Sequence, residues 1–396
     1  MDLARREHVR FMGTTVSQAV RRTLVHRERC EFTGGRDDPG EGGGSRIFAG
    51  PAGALSPPEP RWPVDQAEIE ERLRTFIDWA GGDITLHHRA MSAGRVVVSG
   101  SSPARRWHRT VFSLTGHAVA GGGRELPLGF SGRGAGLEVL SSQSAATAIA
   151  RARSALAAAE GPAPGNPAVV LSPQPAAVLV HEAVGHYAEA VHVGDPAVHR
   201  LFTRVASEVL SVHDQQDRPD EPVRPAQQCD DEGVLSLGPT HVVDHGVLVA
   251  QLHSRSTARA AACASTGNAR AAQVWDTPIP RMWSIACAPG SSREEALVEE
   301  LHSGIYIHRL AHGYRQGTVV AADVVLAEHV SRGRRTGRYF TGGQVLDRAD
   351  ILTRVAEVAN RVERNANGMC GKDGQLLFDV MTSAPAMRLS SLRLTA

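Results

Sequence analysis

The stretch Ala176-Ala177-Val178-Leu179-Val180-His181-Glu182-Ala183-Val184-Gly185-His186 sets two imidazoles and a carboxylate within six residues at the end of an apolar run. It reads as a helix that carries ligand-type side chains at its far end. Zinc takes neutral imidazole nitrogens at about 2.0–2.1 Å, and a catalytic zinc keeps one position open beside three protein ligands. Two histidines leave such a site one ligand short. Histidines four apart on a regular helix lie about 40° apart around the axis, whereas a spacing of five opens the angle to about 140°. The backbone must therefore depart from a regular helix if both rings serve one metal, and Gly185 is where a π-type turn or a helix end is expected. The alternative is a pair of ordinary, partly buried histidines, since so short a pattern recurs by chance.

Working outward, the Pro- and Gly-containing residues 161–167 precede a short apolar strand at 168–171, which places a domain boundary near Asn166. Upstream, Ile69, Leu73, Phe76, Ile77 and Ala80 fall at helical spacing before Gly81 and Gly82. Strand-like runs follow at 84–87, 95–99 and 110–119, then an Ala-rich helix at 144–160. Downstream, strands are expected at 205–212, 240–243, 247–252, 318–326 and 376–381, with a hairpin turn at Asp244-His245-Gly246. Helices are expected at 254–264, 293–302 and 349–364. The division is an N-terminal helical segment (1–31), a Gly/Pro-rich linker (32–62), an N-terminal α+β domain (63–165) and a β-rich C-terminal domain (166–396) carrying the motif helix. The fold class is α+β.

The composition limits the function classes. A chain of 396 residues with 42% apolar and 21% charged side chains is globular, and a formal net charge of +1 supplies no field for nucleic acid or an anionic bilayer. Five scattered cysteines form no disulfide framework, and no signal peptide or apolar span of about 20 residues appears. The expected location is the cytoplasm, with no nucleic-acid or membrane partner. The Arg-rich first 30 residues are compatible with a transit peptide or an ordinary surface helix. Lys372 is the single lysine of the chain.

The motif and the segments around it resemble the TldD/PmbA family. The resemblance covers nearly all of residues 167–394. It rests on the HEA-aliphatic-GH pattern at 181–186 with Glu189, and on Cys370-Gly371-Lys372-Asp373-Gly374-Gln375 near the C-terminus. Between them, in the family's order, stand Asp230-Asp231-Glu232-Gly233, the hairpin at 242–249, Thr266-Gly267-Asn268, Pro280-Arg281-Met282 and Gly304-Ile305-Tyr306. The resemblance implies a zinc metallopeptidase with Zn2+ held by His181, His186 and Cys370. Thiolate is a strong zinc ligand, and Gly368 and Gly371 leave room for close backbone approach. Cys30, Cys229, Cys263 and Cys287 read as buried free cysteines. Given a bound metal, Glu182, next to a ligand histidine, is the general base. Glu189 and Asp231 are candidates for fixing the tautomer of a ligand imidazole, with a purely structural role equally open. Thr266, Gly267, Asn268, Arg270 and Arg281 lie in segments whose family counterparts border the active site, which implies contacts to a peptide.

The chain departs from the family's pattern in two places. Tyr187 and Val191 replace a small residue and an acid just after the motif, and residues 308–315 are bulky and polar where a Gly-rich stretch is usual. The resemblance further implies hydrolysis of unfolded or modified peptides by a dimer, in the family's manner a heterodimer with a homologous TldE/PmbA-like subunit. The altered residues keep open a small amide or peptide-like substrate of specialised metabolism, and a non-catalytic scaffold is the third reading.

Overall fold

The computed structural model describes residues 66–396 except 98–104, 192–200, 217–228, 237, 274–275 and 366. The segments expected at 1–31 and 32–62 lie outside the described residues. The first element is helix α1 (Gln66–Ala80). Its buried Ile69, Leu73, Phe76 and Ala80 fall on one stripe. Gly81, at φ +64°, ends it through an N–H bond to Ile77 O. Strands β1 (Ile84–Val97), β2 (Arg105–Val119) and β3 (Glu125–Arg133) form an antiparallel sheet in that order. The two short runs expected at 84–87 and 95–99 are one long strand. β3 was not read from sequence because Pro127, Gly129 and Gly132 break the pattern. An edge strand tolerates them. Helix α2 (Gln143–Ala157), capped by Ser142 Oγ accepting the Ala145 N–H, closes this layer over its own core.

The second core is built on a twelve-stranded mixed sheet. Its chain order begins with β4 (Val169–Leu171) and helix α3 (Pro173–Val180), followed by β5 (Val212–Asp214), β6 (Thr240–Asp244) and β7 (Val247–Leu248). Helix α4 (Arg255–Ala260), a small ribbon of β8 (Ala269–Arg270) and β9 (Ile279–Pro280), strand β10 (Ser284–Cys287) and helix α5 (Glu294–Leu301) come next. The long strands β11 (Ser303–Gln316) and β12 (Val319–Ser331) lead to β13 (Arg334–Phe340), β14 (Gln344–Arg348) and β15 (Val355–Asn365). A second ribbon, β16 (Cys370–Lys372) and β17 (Gln375–Leu377), precedes β18 (Met381–Leu389) and β19 (Leu394–Thr395). The sheet runs β19-β14-β12-β11-β4-β18-β10-β5-β6-β7, with β13 on β12 and β15 on β18. α3 packs across β18 and β11, so the motif begins beside the middle of the sheet. Val325 of β12 enters the N-terminal core and joins the two layers. The fold is α+β.

Several segments differ from expectation. Residues 349–364 are a short 3-10 turn (Ile351–Arg354) and the strand β15, not a helix. Val355 and Val358 are buried three residues apart because the pairing with β18 shifts register between Val355 and Glu357 and again between Val358 and Val362. These bulges imitate a helical spacing. Of the strand expected at 205–212, Val212 alone belongs to β5, and Val205 and Ala206 instead donate to Gly246 O beneath the β6–β7 hairpin. The run 376–381 is also divided between β17 and the start of β18. The bulky, polar residues 308–315 lie within β11. The hairpin turn at His245-Gly246 has positive φ at both residues (44° and 80°), as a two-residue type I′ turn requires. No helix among the described residues is long and apolar enough to cross a membrane.

Candidate metal centre

Helix α3 does not end at Val180; it widens. Residues His181–Gly185 form one turn of π-helix, in which the His186 N–H bonds to His181 O five residues back. The wider turn carries His186 round beside His181, and the two rings stand edge to face with centroids 4.9 Å apart. Gly185 keeps ordinary helical dihedrals in this turn (φ −58°, ψ −58°) and acts through its missing side chain, since a Cβ there would sit 2.1 Å from Met282 Sδ. Cys370 arrives from the other side on β16, whose hairpin to β17 turns at Asp373 and Gly374, both with positive φ.

The three side chains converge. His181 Nε2 is 3.2 Å and His186 Nε2 3.5 Å from Cys370 Sγ. All three donor atoms lie within 4.8 Å of one another. A tetrahedral zinc with N and S ligands at their usual bond lengths would separate nitrogen from sulfur by about 3.6 Å, so the donors fit one cation. The other ring nitrogens are also engaged. His186 Nδ1 donates to Glu189 Oε2 at 2.9 Å, and His181 Nδ1 pairs with Thr382 Oγ1 at 3.1 Å. The Glu189 carboxylate, an acceptor only, leaves His186 Nε2 as the lone-pair bearer facing the sulfur, and the Thr382 hydroxyl can accept from His181 Nδ1 to give that ring the same tautomer.

The electrostatics favour a positive charge at this point. Burial by itself raises a thiol pKa, yet the imidazoles of His181 and His186 outweigh it and hold Cys370 well below its ordinary value. Burial likewise opposes charge on His186, but the Glu189 carboxylate and Cys370 raise it well above the usual histidine range. His181 is raised against its own burial, chiefly by Cys370. Glu189 is fully buried and held below the carboxylate range; burial opposes its charge, and His186, Lys372 and Arg281 overcome that. Its Oε2 accepts from Lys372 Nζ at 2.9 Å, while Oε1 accepts the Met282 N–H at 3.1 Å and lies 3.7 Å from Arg281 Nε.

Glu182 is buried with its Oε2 3.9 Å from His186 Nε2. β11 crosses over it at Gly313, where a Cβ would lie 3.2 Å from Glu182 Oε1. Arg315, farther along β11, donates to Ala183 O at 3.2 Å and stands 4.7 Å above the Tyr187 ring. The two departures from the family pattern thus touch each other beside the histidines.

The remaining sequence candidates lie one layer back. Arg281 is wholly buried, with its guanidinium on Cys370 O at 2.6 Å and Gln375 O at 3.4 Å. Arg270 is wholly buried too, bonding to Met282 O and Asp379 and lying 3.9 Å above the Trp283 ring. Asn268 Nδ2 donates to Asp214 Oδ2 and Arg281 O, Thr266 Oγ1 donates to Asn268 Oδ1, and Gly267 O accepts from Gln216 and Trp283. Asn268, Arg270 and Arg281 therefore face inward, where they hold the chain around the site, and not toward a peptide in solvent. Asp231 accepts the Ala271 N–H at 2.8 Å and supports that same segment; it is Glu189 that meets a ligand-type imidazole. Lys372 and Thr382 were not singled out from sequence as site residues. Lys372 carried a signal, being the one lysine among 43 basic residues. Thr382 carried none, since nothing ties it to His181 until β18 folds beside α3.

Fold and cluster together define an α+β protein with a buried site of three metal-ligand side chains. The family described as "PmbA/TldA metallopeptidase C-terminal domain" matches residues 164–396, and the chain belongs to this PmbA/TldD family of metallopeptidases. A metalloprotease of Methanocaldococcus jannaschii is 35% identical over 216 residues, 52% of this chain and 46% of that protein. A zinc metalloprotease TldD homolog of Saccharolobus solfataricus is 28% identical over 147 residues, 37% of this chain and 33% of that one. The chain spans about half the length of the curated relatives first matched, 46% and 48%. Among solved structures, a Thermotoga maritima protein described as a candidate modulator of a DNA gyrase superposes with TM-score 0.65 at 16% identity, covering 84% of this chain and 75% of that one. TldE from Thermococcus kodakarensis gives TM-score 0.55 at 13% identity, over 74% and 64%. These two establish likeness of fold.

Proposed function

We propose that the chain is a zinc metallopeptidase that hydrolyses peptide bonds of unfolded or modified peptides, working beside a homologous TldE/PmbA-like subunit. The observation that carries this reading is the convergence of His181 Nε2, His186 Nε2 and Cys370 Sγ on one point with Glu182 at its edge. Two imidazoles and a thiolate suit zinc better than a hard cation, and the relative named as a zinc metalloprotease agrees. When bound, zinc supplies Lewis-acid activation of water and of the scissile carbonyl. Glu182 Oε2 takes the proton of the attacking water and returns it to the nitrogen of the leaving amine. Glu189 holds the His186 ring in the tautomer that leaves Nε2 free, and Thr382 does the same for His181. We assign Arg281 to joining the Cys370 ribbon to Glu189, and Arg270 to securing the neighbouring segment. The buried apolar clusters, one within residues 66–159 joined by Val325 and two among residues 169–394, support a division near residue 165.

A second reading, hydrolysis of a small amide, draws on the Arg315–Tyr187 contact, which sets two bulky side chains beside the motif turn. One experiment addresses both. Zinc-loaded wild type and Glu182→Gln are incubated with a peptide library and with small N-acyl amides, alone and with the candidate partner subunit. The proposal predicts cleavage of library peptides by the wild type, with the variant keeping its zinc and losing about 10²–10⁴-fold in rate. Cleavage of small amides alone would favour the second reading, and a fully active Glu182→Gln would contradict the assigned base.

A further inference from the structure

Strand β3 serves two layers at once. Leu126, Leu128 and Phe130 belong to the N-terminal core. Side chains alternate along a strand, so Gly129, Ser131 and Arg133 share the opposite face. That face meets the segment that bears Cys370. Ser131, buried to 1% exposure, accepts the Gly368 N–H on its Oγ at 2.7 Å and donates to Asn367 Oδ1 at 3.3 Å. Asn367 Oδ1 in turn accepts the Met369 N–H at 3.2 Å. Gly129 lies against the same Asn367 side chain, its Cβ position 3.4 Å from Nδ2. Farther along the same face, Arg133 Nε is 3.6 Å from Asp379 Oδ2, and its guanidinium lies 5.5 Å from the centre of the Trp283 ring. One strand of the N-terminal layer therefore grips the β16–β17 ribbon on both flanks, at 367–368 before Cys370 and at 379 after Leu377.

The contact is well placed to matter. Gly368 is two residues from Cys370 and closely boxed, because a Cβ on it would meet Met381 Sδ at 3.0 Å and the carbonyls of Phe378 and Val380 at 3.2 Å. Gly368 O accepts the Val380 N–H, so with Ser131 on its N–H both backbone polar groups of this residue are engaged. The two histidines stand on one continuous helical segment and are held by Thr382 and Glu189. Cys370 comes from a separate ribbon, and its distance to the imidazoles depends on what fixes that ribbon.

We infer that Ser131, assisted by Arg133, is a positioning residue for the Cys370 thiolate, so that the metal affinity of the C-terminal core is set in part by the N-terminal sheet. Removing the hydroxyl leaves a buried N–H without its acceptor, and the segment shifts to find another. The sulfur moves with it. The inference rests on the metal site proposed above, and the test separates the two. Zinc affinity is measured by competition with a chromophoric chelator, and the cobalt-substituted protein is read by its sulfur-to-cobalt charge-transfer absorption. Ser131→Ala is expected to raise the zinc Kd about ten- to a hundredfold, the range of lost outer contacts at metal sites, and to weaken or shift the cobalt band. Ser131→Thr, which restores the hydroxyl, recovers most of both. Ile149→Val, in the N-terminal core away from the ribbon, lowers the thermal midpoint and leaves zinc affinity unchanged. If Ser131→Ala does not fold, Asn367→Ala removes the other end of the contact and is read in the same way. Wild-type affinity and an unaltered cobalt band in these variants overturn the inference alone. A wild-type protein that binds no metal overturns the metal reading and this inference with it.

Discussion

At the scale of single residues, the site depends on side chains whose second polar atom is occupied. His181 meets Cys370 through Nε2 because its Nδ1 is paired with Thr382. Thr382→Val removes that partner while keeping the shape, and zinc affinity measured by chelator competition is expected to fall about tenfold, the lower end for lost outer contacts. Unchanged affinity would show that packing alone orients the ring. Gly185 acts through its missing side chain. A Cβ at that position would sit 2.1 Å from Met282 Sδ, and Met282 is itself fully buried. Gly185→Ala should cost about 1–3 kcal/mol in urea denaturation, the usual penalty for overpacking a core. A variant of wild-type stability would mean that Met282 can move aside.

At the scale of elements, the decisive one is the π turn at His181–Gly185, and it was legible because a spacing of five between two histidines cannot serve one metal on a regular helix. The hairpin at His245-Gly246 was legible for a similar reason, its residues dictating its geometry. β15 was not. Val355, Val358 and Val362 fall at helical spacing, and the register shifts that make them a strand are set by β18, which lies outside the local window. β3 was hidden by Pro127 and two glycines that only an edge position excuses. For the candidate site, the three side chains that converge were legible from motif and family resemblance, whereas the inward orientation of Arg270 and Arg281 follows from tertiary packing that no local pattern encodes. One element also carries a pH dependence. Asp214 at the end of β5 is fully buried, and burial pushes its carboxyl up to about 6, against the bonds from Asn268, Trp283 and Ser284 that favour its charged form. A carboxyl whose pKa is higher folded than unfolded gives stability that is fully present below about pH 4 and lost as the pH rises through 6. Between pH 4 and 7 the wild type should therefore lose stability that Asp214→Asn does not lose. Urea midpoints across that range check this, and parallel pH profiles would contradict it.

At the scale of the whole molecule, two cores meet at a seam where β12 contributes Val325 to the N-terminal layer and β3 reaches the Cys370 ribbon. Phe76 is fully buried in the N-terminal core, edge to face with Phe130 at 6.4 Å. Phe76→Ala should destabilise that layer by about 3–5 kcal/mol in urea denaturation. Because Phe130 neighbours Ser131 on β3, the same variant should also weaken metal binding, and loss of stability with unchanged zinc affinity would show that the layers act independently. The proposed activity itself stands on three donors from two elements, His181 and His186 at the end of the motif helix and Cys370 from a ribbon 184 residues beyond His186. The most direct test is the zinc content of the purified protein after dialysis, in wild type, His186→Ala and Cys370→Ala, by elemental analysis. The account predicts about one zinc per chain in the wild type and its loss in both variants, as a three-ligand site requires. Wild-type protein that holds no zinc after reconstitution, or a Cys370→Ala variant that retains it in full, would contradict the account.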